Sequence, residues 1–287
     1  MKKMVVPPTD VSYSERHKYV VNSKSNTIKG EPNTTKINLL RLEPQVLVRF
    51  RQFEQAIAQN TLFDFPENPD LIAHKDDLLS CYTGRTKKVQ EIFKLIEDAQ
   101  PIRFLKRCPY CGITLPKTYD HYLPEAHFPE LSVHALNLIP CCGTCNSTKN
   151  IFWKNNTHRT FLYFYADLIP NVQYINVNII TGVSAIGARF SIQKPINIQN
   201  SVWVILSSHY GKLGLISTYN ELASDEITEV FNACVSHLRC GGTNIRRFVE
   251  ELLMPEEVLY GINHWRVVLM KELAVSAEFA HFVNSNV

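Results

Sequence analysis

The chain lacks any stretch of about 18 apolar residues, the minimum for a membrane-spanning helix, so no membrane contact is expected. It also lacks an apolar run of roughly 7–15 residues after Met1-Lys2-Lys3, the core of a secretory leader, and a cytoplasmic location follows as the expectation. The phosphate-cradling pattern G-x-x-x-x-G-K-[ST] is absent, so an ATP-driven step would have to come from another protein. An excess of either sign of charge is in short supply: 30 Lys and Arg face 27 Asp and Glu, a net charge of +3 that announces no partner. Nothing among the eight cysteines reads as a disulfide framework.

What is present is ordinary globular material, 287 residues with 45% apolar and 20% charged, enough for one large domain or two ordinary ones. Four of the cysteines stand in two C-x-x-C pairs, Cys108/Cys111 and Cys142/Cys145. Thiolates at that spacing grip one side of a tetrahedral Zn²⁺, and two pairs close a structural site. Cys141 offers a competing register with Cys145, but it leaves three residues between the thiols and fits less well. Cys81, Cys141, Cys234 and Cys240 are expected to be buried thiols. The zinc clip brackets Asp120, His121 and Asn137, and Asn146 follows the last cysteine.

At these residues the chain resembles the HNH (ββα-metal) endonuclease family in its zinc-ribbon form: C-x-x-C, D-H, N-L-x-P, C-x-x-C-N, x-x-K. The resemblance implies that His121 is the general base that activates water. It implies that Asp120 and Asn146 hold a catalytic Mg²⁺ or Mn²⁺, and that Asn137 hydrogen-bonds the loop that aims His121. The flanking stretches LLSCYTGRTKKVQ and FLYFYADLIP are similar to segments of bacterial HNH proteins in anti-phage (antiviral) defence systems of the Septu and retron-associated type. In such systems the nuclease is controlled by a partner protein, and an ATPase is the expected partner here.

Elementary chemistry agrees with those roles. Phosphodiester hydrolysis needs a base titrating near neutrality, which histidine supplies, and positive charge to offset the phosphoryl oxygens. A carboxylate with an amide oxygen is a hard set suited to Mg²⁺ or Mn²⁺. His127 and His134 lie in the same loop and are alternative bases or ligands, with loop or hydrogen-bonding roles the more ordinary reading. Residues 101–165 carry seven Lys and Arg against three acids, an excess that fits phosphate contact. Lys149 and Lys117 are the candidate nucleic-acid contacts, with DNA favoured over RNA.

Along the chain, residues 1–35 read as a flexible arm and 36–103 as a helical region. Within it Val46, Phe50, Phe53 and Ile57 stand at helical spacing from Pro44, and Val89, Ile92, Phe93 and Ile96 follow Gly84. Residues 104–165 form the zinc-ribbon module: a strand toward Tyr119-Asp120-His121, a second near Leu138-Ile139, then a helix from Gly143. In 166–287, VQYINVNIITG, ARFSIQ, SVWVILSSHY and LGLIS read as strands. Helices are expected from Ser224, over Asn244–Leu253 and over Asn263–Phe282. The fold class is α+β, with the C-terminal region a partner-binding, substrate-binding or scaffold part. The function expected is a metal-dependent DNA endonuclease. The alternative is a zinc-ribbon module that binds nucleic acid or protein without cutting.

Overall fold

The computed structural model describes residues 1–182 and 186–287, as helices with three two-stranded antiparallel sheets among the described residues. It divides into two compact units, residues 3–167 and residues 168–287 with 1–2.

The first unit begins where the sequence predicts a flexible arm, and the prediction misses its structure. Residues Tyr13–Asn22 form helix α1, started by the Ser12 hydroxyl accepting from the Glu15 amide. This is the S-x-x-E start signal. Tyr13, His17, Val20 and Val21 are buried on one face at helical spacing. The segment before it is tied by Met4 N–H to the Phe164 carbonyl at 2.9 Å and by paired bonds between Val5 and the Gln100 amide. Polar composition concealed these long-range bonds.

Strands β1 (Thr27–Ile28) and β2 (Glu31–Pro32) form a small hairpin. Its turn needs positive φ at both central residues, supplied by Lys29 (54°) and Gly30 (88°). Helix α2 runs Thr34–Ala58, capped by Asn33, so it starts ten residues before the Pro44 read as its beginning. It buries Leu39, Leu42, Val46, Phe50 and Phe53. The short α3 (Pro69–Ile72) follows, then α4 (Lys75–Thr83) and α5 (Lys87–Asp98). Helix α5 buries Val89, Ile92, Phe93 and Ile96, the stripe the sequence predicts.

Strand β3 (Thr118–His121) pairs antiparallel with β4 (Leu138–Cys141), with Asp120 opposite Ile139 and His121 opposite Leu138. Helix α6 (Gly143–Lys149) follows at once, in the strand–loop–strand–helix order expected from the sequence. The loop between the strands is nearly all buried, Glu125–His127 excepted. Downstream, Phe161, Phe164 and Tyr165 are core residues.

In the second unit β5 (Ile175–Thr181) and β6 (Ile186–Ile192) form a hairpin. The stretches SVWVILSSHY and LGLIS, read as strands, are helical instead: α7 spans Asn200–Lys212 and α8 spans Leu215–Arg239. Burial of Leu206, His209 and Tyr210 at i, i+3 and i+4 shows why. A short apolar run has no period of its own to separate helix from strand, and packing decides. The helix expected from Ser224 is therefore the second half of α8. Helix α9 spans Ile245–Tyr260, α10 Trp265–Val275 and α11 Ala277–Asn284. The sequence predicts one helix over the last two; Ser276 separates them and caps α11, its hydroxyl accepting from Phe279 N–H at 3.1 Å. Cys81, Cys141 and Cys234 are buried as expected, whereas Cys240 is exposed at the end of α8.

Candidate zinc clip and histidine cleft

The Sγ atoms of Cys108, Cys111, Cys142 and Cys145 lie within 4.8 Å of one another, all four residues buried. Zn–S bonds of about 2.3 Å place tetrahedral sulfurs roughly 3.8 Å apart. The 3.9 Å between Cys111 and Cys142 fits that edge. Cys141 stands outside the cluster on β4, so the C-x-x-C register is that of Cys142. The first pair sits in a tight turn: Gly112 N–H donates to the Cys108 carbonyl at 2.7 Å, with Gly112 at φ 71°. The second pair opens α6, where Cys145 N–H donates to Cys142 Sγ at 3.5 Å. Cys142 N–H donates across to Cys108 Sγ at 3.3 Å. Thiols donating to their neighbours hold Cys142 and Cys111 below the ordinary thiol range, while Cys108 and Cys145 are held above it. Four thiolates coexist at this spacing only when a cation offsets their charge, which suits Zn²⁺.

The two arms of the clip continue into one cleft of about 650 Å³, lined by Asp120, His121, Glu125 and Asn146 together with Lys75 and Arg85. His121 ends β3, its side chain 9% exposed and its ring edge-on to Tyr82 at 4.5 Å. Its Nε2 lies 2.9 Å from the Ser132 carbonyl oxygen. A carbonyl only accepts, so Nε2 carries the proton and Nδ1 presents a lone pair. Burial holds His121 below the ordinary imidazole range, partly opposed by Glu125 and the Ser132 carbonyl. Nδ1 faces Glu125 Oε2 at 3.3 Å.

Asn137 is fully buried immediately before β4. Its Oδ1 accepts from Leu123 N–H at 2.8 Å, and its Nδ2 donates to the Leu123 carbonyl at 3.0 Å and the Leu131 carbonyl at 3.4 Å. It thus clips the two ends of the loop that carries Ser132. Asn146, on α6, is half-buried and donates through Nδ2 to Thr118 Oγ1 at 3.4 Å. Helix α2 supports the loop from behind. Arg49 Nε donates to Glu130 at 2.9 Å, and the His134 ring packs against Phe50 and Phe53 with Nε2 3.2 Å from Glu54. His134 is therefore committed to the core. His127 meets Glu67 at 3.1 Å and is not among the cleft residues.

Two expectations change. Lys149, expected at a phosphate, is fully buried; its Nζ donates to Asp120 Oδ1 at 3.0 Å and to the His121 carbonyl at 2.9 Å. Lys117 remains exposed. Asp120 is 2% exposed, and its Oδ2 accepts from the Tyr110 hydroxyl at 2.7 Å. A Mg²⁺ or Mn²⁺ on this carboxylate would sit a few ångströms from the Lys149 ammonium. At ~4 Å and an effective dielectric of about 20, the repulsion is about 8 kcal/mol. Asp120 as arranged does not fit the ligand role that the resemblance implies.

Sequence reasoning missed Tyr110, Glu125 and Ser132. Tyr110 stands inside the first C-x-x-C and Glu125 four residues after His121, so both were within reach of the pattern. Ser132 acts through its main-chain carbonyl, which leaves no mark in the sequence.

No protein-family model matches the chain, and no solved structure matches it. Protein ea31 of Escherichia phage lambda is 28% identical over 188 residues, which cover 61% of this chain and 63% of ea31. The chain thus spans less than two thirds of that relative's length.

Proposed function

We propose that this chain is an HNH-type phosphodiester hydrolase acting on DNA, with His121 as the general base. The observation that carries the reading is the bond from His121 Nε2 to the Ser132 carbonyl at 2.9 Å, which leaves the Nδ1 lone pair at the cleft. Water attacking the phosphorus loses its proton to Nδ1 once Glu125, whose side chain is 43% exposed, turns aside; the P–O bond to the 3′-oxygen breaks, and that oxygen leaves and takes up a proton from solvent. Arg85, exposed and spread over the Tyr82 ring, and Lys75 supply positive charge at the rim for the phosphoryl oxygens. Asn146 offers an amide oxygen to orient water or substrate. Zn²⁺ held by Cys108, Cys111, Cys142 and Cys145 supplies the cross-link between the two arms and takes no part in the proton transfer. Control by a partner ATPase in an anti-phage system rests on the sequence resemblance alone.

The second reading, a zinc-ribbon module that binds without cutting, is favoured by the engagement of Asp120 with Lys149 and Tyr110. One assay separates the two. Zinc-loaded protein is incubated with plasmid DNA, and in parallel with RNA, without added divalent ion and with Mg²⁺ or Mn²⁺. The wild type cuts and His121→Ala does not. Binding by both proteins with cutting by neither establishes the second reading.

A further inference from the structure

We propose that Asp120 is a positioning residue, clamped by Tyr110 and Lys149, through which both arms of the cysteine clip set the place of His121. The proposal rests on reading His121 as the base. Tyr110 lies between Cys108 and Cys111 in the first arm, and its buried hydroxyl donates to Asp120 Oδ2 at 2.7 Å. Lys149 closes the helix that Cys142 caps and Cys145 enters, and it donates to Asp120 Oδ1 at 3.0 Å. The same ammonium donates to the His121 carbonyl at 2.9 Å.

Asp120 therefore receives one bond from each arm, and the residue beside it carries the base. None of the three residues is more than 2% exposed, so each group has little freedom. A flexible lysine at a protein surface would hold nothing in place; a buried one bound to both acceptors ties the Asp120 carboxylate to the peptide that follows His121. The rim carboxylate is Glu125: among the described residues no donor bonds its Oε2, which lies 3.3 Å from His121 Nδ1. Asp120 is thus the internal strut and Glu125 the group at the cleft.

The test uses the full-length, zinc-loaded protein with Tyr110→Phe, Asp120→Asn and the charge-neutral pair Asp120→Asn/Lys149→Met. The paired variant guards against misfolding, because removing Lys149 alone strands a buried carboxylate. Zinc content stays at one per chain. The ring ¹⁵N and ¹H resonances of His121, read without substrate, shift in all three variants. The kcat falls about 10–100-fold in Asp120→Asn, the range for groups that orient a functional ligand, with KM and half-saturating Mn²⁺ within about twofold. Tyr110→Phe falls less. Unchanged His121 resonances overturn the proposal, as does a tenfold or larger rise in half-saturating Mn²⁺ for Asp120→Asn. If the wild type does not cut but the resonances shift, the hydrolase reading fails and the positioning network stands.

Discussion

His121 Nε2 lies 2.9 Å from the carbonyl oxygen of Ser132, eleven residues further along the chain. That one bond selects the tautomer and turns Nδ1 toward the cleft. Its precision depends on the loop that carries Ser132, which Asn137 clips at its ends and helix α2 braces from behind.

The brace is itself testable. Arg49 and Glu130 form a buried pair at 2.9 Å, with side chains 7% and 0% exposed. Burial pushes the Glu130 carboxyl up while the guanidinium pulls it back. Arg49→Met strands the carboxylate and is expected to cost about 3–5 kcal/mol in denaturant unfolding. Arg49→Met with Glu130→Gln recovers most of that loss. Equal destabilisation by the single and double variants would show that the charge is not what matters.

The four cysteines predict metal-dependent folding. Elemental analysis should find one zinc per chain, and chelation or Cys142→Ser should unfold the first unit. Structural zinc sites contribute on the order of 10 kcal/mol. Cys141→Ser, outside the cluster, should keep zinc and the fold. Zinc-free protein that is fully folded would refute this.

The three loop histidines should separate cleanly. His127→Ala, at a residue partnered by Glu67 and away from the cleft, should leave cleavage within about twofold of wild type. His134→Ala removes a ring packed on Phe50, Phe53 and Tyr13, and should lower stability by about 2–4 kcal/mol. His121→Ala should lower the cleavage rate by about 10²–10⁴ with stability little changed. Cleavage lost in His127→Ala and kept in His121→Ala would move the base.

Acid should weaken the first unit through His17. Among the described residues neither ring nitrogen has a hydrogen-bond partner, and burial, with His134 nearby, lowers its pKa to about 4. An unfolded histidine titrates near 6.5, so the unfolded chain binds the extra proton first as pH falls. The stabilising contribution is whole above pH ~6.5 and drains between ~6.5 and ~4, about 3 kcal/mol in all. His17→Leu should flatten that limb in urea unfolding measured across the window. An unchanged slope would mean that another group drives it.

Much of the module was legible because its signals are local. C-x-x-C spacing, the strand residues before His121 and the helix after Cys142 each lie within a few positions of one another. The α5 stripe was legible for the same reason. Helix α1 was half legible: its Ser12-x-x-Glu15 start lies in the sequence, but polar neighbours outweighed it. Helices α7 and α8 were not, because Val- and Ile-rich runs fit either period until a neighbour picks a face.

By itself the sequence marked the four-cysteine cluster that could hold a metal, since thiols at that spacing have few other uses, and the candidate base, since Asp120-His121 sits inside the clip. Tertiary structure alone decided what each charge does. Lys149 and Asp120 are 29 residues apart and meet at 3.0 Å only after β3 and α6 pack. Burial then turns an expected phosphate contact and an expected cation ligand into each other's partner. A charged side chain is read from sequence as free because water is the default solvent. Which charges lose their water is set by the fold, and that assigned Asp120 and Lys149 to the interior and Glu125 to the cleft.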